Sequence, residues 1–288
     1  MSIGIAGLGR MGTIFASRLI DAGFPLRVWN RTESKAEPLS RMGASMAATP
    51  AELVRNCDIV LTSMADEEAL VSIMEGSDGM LSADLRGRII VDTSTVMPDF
   101  VTRLGSRVVE RGGVMVDAPI LGTIGPARAG MITVVAGGPV DAIDKVRPVF
   151  AHLATHFVHI GPSGQGSTMK LVVIMHLCTY WQSLAEALRM GGSNGLSPDA
   201  MLEVLLSSPV ATDALRSKMP IIRGETNEVG YDIAGVCNVL QRSLQLADRR
   251  HVEAPATRSA MAGFSAISAS GRQDRDVVQL VLDALTGE

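Results

Sequence analysis

Short apolar runs recur through the first part of the chain, at residues 3–6, 26–29, 58–62, 88–92, 114–117, 131–136 and 156–160. They are rich in valine and isoleucine and largely lack polar alternation, the pattern of strands buried on both faces of a sheet. Stretches with helical periodicity lie between them, at 10–22, 34–42 and 139–153. Strands that alternate with helices predict βαβ units and a mainly parallel sheet.

The texture changes at Gly161-Pro162-Ser163-Gly164. Beyond it the pattern predicts helices and no strand. Residues 165–190 read as one long helix, ended by Gly191-Gly192. Residues 197–206 follow, with Ser197 as N-cap and Pro198 in the first turn. Residues 233–250, 254–269 and 274–285 complete the set. The expected organisation is an α/β domain over 1–161 and, over 162–288, a long linking helix with an all-α domain for substrate binding and dimerisation.

At 288 residues there is room for both domains. A net charge of −4 and an aromatic content of 3% argue against a nucleic-acid partner. Cys57, Cys178 and Cys237 are far apart, so they form no CxxC motif and suggest reduced thiols in a cytoplasmic protein. No basic, apolar leader opens the chain, so no secretory signal is expected. The longest uninterrupted apolar run, 171–175, is too short to span a bilayer, and no membrane partner is expected. His152, His156, His159, His176 and His251 form no HxH pair, and no metal is expected.

One motif carries chemistry directly. Gly7-Leu8-Gly9-Arg10-Met11-Gly12 sits where the first strand ends and the first helix begins. In that setting a GxGxxG sequence predicts a dinucleotide site of the Rossmann type on a doubly wound sheet. Gly7 permits a tight turn, Gly9 a close approach of backbone to pyrophosphate, and Gly12 close packing of helix on strand. The helix N-terminus adds free N–H groups and a positive dipole end.

The end of the second strand selects the cofactor. An enzyme for NAD usually places a carboxylate there, on the ribose 2′-OH. This chain has Asn30-Arg31-Thr32 instead. Arg31 can grip a 2′-phosphate, Thr32 can add a hydroxyl, and Lys35 lies one helical turn on. NADPH is therefore preferred, with NADH as the alternative. A competing role for Asn30 and Thr32 is to cap the next helix.

These motifs occur in order with Asp92-Thr93-Ser94-Thr95, Asp117-Ala118-Pro119 and Gly164-Gln165-Gly166-Ser167-Thr168-Met169-Lys170. Together they resemble the β-hydroxyacid dehydrogenases, a family that includes 3-hydroxyisobutyrate dehydrogenases, semialdehyde reductases and imine reductase relatives. The resemblance implies that Leu8 to Met11 cover the pyrophosphate and that Met64-Ala65 lie beside the nucleoside. It implies Thr95 near the nicotinamide ribose, Lys170 as catalytic proton donor, and Arg242 where relatives carry a later lysine that binds cofactor or substrate. It also implies a homodimer or homotetramer built through the C-terminal domain, acting on a small-molecule substrate.

Three positions depart from the family pattern. Ile174 stands where an asparagine is usual, one turn after Lys170. Leu121-Gly122-Thr123 replaces the Ser-Gly-Gly credited with substrate binding. Arg242-Ser243 replaces Lys-Asp. By helical spacing Ile174, Leu177, Cys178 and Trp181 share a face with Lys170. That face suits a bulkier or less acidic substrate, or else ordinary packing or a dimer seam. Three functions stay open: an NADPH-dependent reductase of small aldehydes, ketones or semialdehydes, an imine reductase, and a catalytically weak NADPH-binding or sensing protein.

Overall fold

A computed structural model describes residues 1–287. The chain forms two compact units, Met1–Lys170 and Leu171–Glu288.

The first unit opens with β1 (Ile3–Ala6), α1 (Arg10–Asp21) and β2 (Leu26–Trp29). A 3₁₀ turn, Glu33–Lys35, and α2 (Glu37–Arg41) follow. The helix expected over 34–42 is thus divided, and Pro38 lies in the first turn of the second piece, where its missing N–H costs nothing. Next come β3 (Ser45–Met46), α3 (Pro50–Arg55), β4 (Ile59–Thr62), α4 (Glu67–Glu75), β5 (Ile89–Asp92), α5 (Pro98–Glu110) and β6 (Val114–Asp117). The unit continues with β7 (Ile120–Leu121), α6 (Ile124–Ala129), β8 (Ile132–Gly137), α7 (Val140–Phe150) and β9 (Ala154–Gly161).

The strand order is β3-β2-β1-β4-β5-β6-β8-β7, with β9 paired to β8. Strands β1 to β6 run parallel to one another, whereas β8 is antiparallel to β6 and β7. Alternate residues of each central strand enter separate cores. Ile3, Ile5, Ile59, Leu61, Ile89 and Val91 join Phe15 and Leu19 of α1 and Val146 and Phe150 of α7. Ala6, Val60, Ile90 and Met115 join Leu53 of α3, Leu70 of α4 and Leu104 of α5. Helices therefore cover both faces, which is why the strands read as continuous apolar runs.

Parallel register aligns the strand ends. Trp29 pairs with Ala6, Ala6 with Thr62, Thr62 with Asp92, and Asp92 with Asp117. Every loop that carries a sequence motif leaves this one edge. The order reverses between β1 and β4, the switch point at which doubly wound sheets bind ligands.

Helix α8 (Gln165–Ser193) links the units along the chain. Its 29 residues are long and apolar enough to cross a bilayer. The short run at 171–175 understates the apolar character of the whole helix. Its buried residues Leu171, Ile174, Cys178, Trp181, Ala185 and Leu188 follow the three-and-four spacing of a packed core helix.

The second unit adds α9 (Pro198–Ser207), α10 (Asp213–Ile222), α11 (Ile233–Arg249), α12 (Pro255–Ile267) and α13 (Gln279–Thr286). Ser197, Thr212 and Asp232 each cap their helix by accepting a backbone N–H three residues on. The last helix starts later than the expected residue 274. The preceding segment is used otherwise: buried Asp276 accepts from Lys218 Nζ at 2.6 Å and from Gly230 N at 2.9 Å.

Candidate active site

Backbone geometry at the end of β1 explains the glycines. Gly7 has φ of +93°, and a Cβ there would meet the Ser63 carbonyl and the Met64 side chain. A Cβ on Gly12 would overlap the Gly7 carbonyl. Gly9 differs, because a Cβ there would meet nothing within 4 Å. It is the N-cap of α1, which has no side-chain cap. Open space over uncapped N–H groups fits the phosphates of a dinucleotide.

Asn30 completes the loop. Its Oδ1 accepts from Leu8 N at 2.8 Å and its Nδ2 donates to Thr32 O at 2.9 Å. It ties the loop after β1 to the loop after β2 and does not cap a helix. Thr32 precedes the 3₁₀ turn but makes no side-chain cap bond. Arg31 is exposed and makes no side-chain hydrogen bond among the described residues. A cavity of about 600 Å³ opens beside the glycine loop, lined among others by Gly9, Arg10, Thr13, Lys35 and Arg128. Met11 is half-buried on α1.

The next loops are held by a buried carboxylate. Asp92 Oδ1 accepts from Thr62 Oγ1 and Ser94 Oγ, each at 2.7 Å, and Ser94 Oγ accepts from Met64 N at 2.9 Å. Burial pushes the Asp92 carboxyl up from its ordinary value, against the pull of these bonds. Met64 therefore lies against both Gly7 and Ser94, with exposed Ala65 beyond it and half-buried Thr95 one residue past Ser94. Nothing in the sequence pattern alone assigns Asp92 and Ser94 this holding role. The available signal was a polar pair at the end of an otherwise apolar strand.

At the end of β6, buried Asp117 accepts from Gly164 N and from Ser167 N, both at 2.8 Å. These amides open α8. Burial pushes the Asp117 carboxyl up to about 6, although both amide bonds oppose the shift. Lys170, one turn further, donates from Nζ to Ile120 O at 2.7 Å. Half-buried Leu121 of β7 is paired with Thr133 of β8, Gly122 has φ of +142°, and Thr123 is the N-cap residue of α6. The 120–123 segment and Lys170 are thus brought together.

Other expected residues lie in the second unit. Ile174, Cys178 and Trp181 are buried at 7%, 0% and 1% exposure, while Leu177 is half-buried. Arg242 is half-buried on α11, and Ser243 next to it is buried, donating to Val239 O at 2.9 Å. Among the described residues no three His, Cys, Asp or Glu side chains cluster as metal ligands.

Residues 2–161 match the NAD binding domain of 6-phosphogluconate dehydrogenase, and residues 164–282 match the NAD-binding of NADP-dependent 3-hydroxyisobutyrate dehydrogenase. The chain is 30% identical to 2-(hydroxymethyl)glutarate dehydrogenase of Eubacterium barkeri, over 100% of this chain and 96% of the relative. This chain belongs to the β-hydroxyacid dehydrogenase family. Within the family it is 28% identical to glyoxylate/succinic semialdehyde reductase 1 of Arabidopsis thaliana, over 96% of each chain. Its fold matches that of Mycobacterium tuberculosis 3-hydroxyisobutyrate dehydrogenase with a TM-score of 0.89, at 22% identity and 97% coverage of each chain. As a β-hydroxyacid dehydrogenase family member it is an NAD(P)-dependent dehydrogenase or reductase.

Proposed function

We propose that this enzyme uses NADPH to reduce the carbonyl of a small aldehyde, ketone or semialdehyde, and in reverse oxidises a β-hydroxyacid. Lys170 is the proton donor. The observation that carries this reading is the 2.7 Å bond from Lys170 Nζ to Ile120 O. A backbone carbonyl orients the amine within the same compact unit as the glycine loop. A nicotinamide cofactor held by the glycine loop would supply the hydride for the carbonyl carbon. Lys170 gives a proton to the carbonyl oxygen, and its charge offsets the negative charge that grows there.

The cofactor preference rests on Arg31, exposed after a strand that ends without a carboxylate, and on Lys35, which shares a cavity with Gly9 and Arg10. The NADP-dependence of the 3-hydroxyisobutyrate dehydrogenase family matched over 164–282 supports it. Leu8, Gly9 and Met11 would hold the pyrophosphate, Met64, Ala65 and Thr95 the nucleoside and nicotinamide side, and Leu121, Gly122 and Thr123 the substrate. Self-association through the helical unit belongs to the same proposal. Met190, Leu196 and Val204 are exposed at 67%, 57% and 65% and line an apolar groove of about 510 Å³.

A substrate panel tests the reaction, followed through the absorbance of reduced nicotinamide. Glyoxylate, succinic semialdehyde and related carbonyl acids are expected to turn over. Turnover of cyclic imines alone would replace this reading with imine reduction.

A further inference from the structure

Lys170 is fixed at two places by one short stretch of chain. Asp117 ends β6, and each carboxylate oxygen serves a different amide. Oδ1 accepts from Gly164 N and Oδ2 from Ser167 N, both at 2.8 Å. The two amides flank the first residues of α8, so a carboxylate on the sheet caps the helix. Three residues after Asp117, Ile120 O accepts from Lys170 Nζ at 2.7 Å. Sheet end, helix start and lysine therefore form a closed circuit.

The circuit has no slack. A Cβ on Gly137 would sit 2.7 Å from Asp117 Oδ1, and one on Gly166 would sit 2.6 Å from the Asp117 and Val135 carbonyls. The two glycines let the helix end approach the strands. A cap is not needed merely to keep α8 helical, since the helix runs for 29 residues. What the cap supplies is location. The carboxylate is also held at a cost, since burial pushes Asp117 up to about 6.

We propose that Asp117 is the positioning residue for Lys170: by capping α8 from the end of β6 it sets where Nζ lies. The role rests on the reading of Lys170 as proton donor. A displacement of about 1 Å at a catalytic group costs on the order of 100-fold in rate, so loss of the cap is felt in kcat. Affinity for cofactor is carried by other loops of the unit and is left in place.

The test compares Asp117→Asn, Lys170→Met and the double variant with wild type. Asn keeps the shape and one acceptor oxygen but turns an N–H donor toward an amide. Asp117→Asn is expected to lower kcat at least about tenfold, within the range of general acid catalysis, while NADPH affinity stays within about twofold of wild type. In the Lys170→Met background it should lower kcat no further, because residues acting as a unit are not additive. Two readouts do not need turnover. Amide exchange over 164–168 should accelerate in Asp117→Asn, and acylation of Lys170 by an amine-directed reagent should change in rate.

Full additivity of the two substitutions, or unchanged kcat together with unchanged Lys170 labelling, overturns the proposal. If Lys170→Met leaves kcat intact, the proton-donor reading fails, and labelling alone then decides whether Asp117 sets the lysine's place. Should Asp117→Asn not fold, Gly137→Ala crowds the same carboxylate without removing it. It is expected to show the same changes in weaker form, and their absence contradicts the proposal.

Discussion

The Asn30 side-chain carbonyl accepts the Leu8 amide at 2.8 Å, so the residue after the second strand holds the loop after the first. One such bond contributes about 1 kcal/mol. Asn30→Ala should therefore weaken both NADPH and NADH, each by about fivefold to tenfold. Asn30→Asp keeps the acceptor but loses the donor to Thr32 O and adds a negative charge. It should weaken NADPH more than NADH, because the added charge repels a 2′-phosphate. Fluorescence titration of both cofactors against both variants measures this, and equal losses in Asn30→Asp would count against a 2′-phosphate beside residue 30.

Substitution of Arg31 should separate the cofactors more sharply. Arg31 is exposed, and β2 ends without a carboxylate. Charge-assisted bonds to phosphate are worth about 1.5–3 kcal/mol. Arg31→Ala is expected to weaken NADPH at least about tenfold and to change NADH little. Equal weakening of the two refutes the assignment of Arg31 to the 2′-phosphate.

Two glycines of one motif should fail in different ways. Gly9 has φ of −72° and open space where a Cβ would go, so Gly9→Ala should leave thermal stability within about 0.5 kcal/mol. If the proposed pyrophosphate site is right, the methyl group takes its room, and cofactor affinity should drop. Gly12→Ala forces a Cβ onto the Gly7 carbonyl and should cost about 1–3 kcal/mol before any cofactor is added. Thermal melts with and without NADPH distinguish the cases. A Gly9→Ala protein that binds NADPH as wild type does would remove the pyrophosphate from this loop.

Burial pushes Asp117 from an ordinary 3.8 up to about 6. The native state therefore holds this proton more tightly than the unfolded chain does. The resulting stability is fully present below about pH 4 and is lost as pH rises through about 6. Buried Asp92, also raised, acts in the same direction. Asn at position 117 does not titrate. The difference in unfolding free energy between wild type and Asp117→Asn should therefore shift against wild type between about pH 4 and 6 and level off above. Denaturant titrations across that range measure it. A pH-independent difference would contradict a raised carboxyl at 117.

Self-association is tested at the apolar groove of the second unit. Val204 is 65% exposed there. Val204→Glu should shift sedimentation toward the monomer if a second copy covers the groove. Unchanged assembly would place the interface elsewhere.

Much of this is legible in the chain itself. The bounds of β1, β2 and β6 agree with the apolar runs, because strands buried on two faces leave uninterrupted Val and Ile. Two-residue strands such as β3 and β7 carry no period, and α10 is obscured by Pro220 near its end. At the site the glycine motif is local, and its placement between strand and helix is readable. The bonds that give the other motifs their work are not local. Leu8 meets Asn30 across 22 residues, and Asp117 meets Ser167 across 50. A motif can mark such residues, but only the register of Ala6, Thr62, Asp92 and Asp117 along one sheet edge shows what they hold.

Proton donation by Lys170 in an NADPH-dependent carbonyl reduction is the proposal on which the other roles depend. The most direct measurement is single-turnover oxidation of NADPH with succinic semialdehyde or glyoxylate, comparing wild type with Lys170→Met. The chemical step is expected to slow by about 100-fold or more, with NADPH affinity preserved. A Lys170→Met enzyme that turns over at the wild-type rate would contradict it.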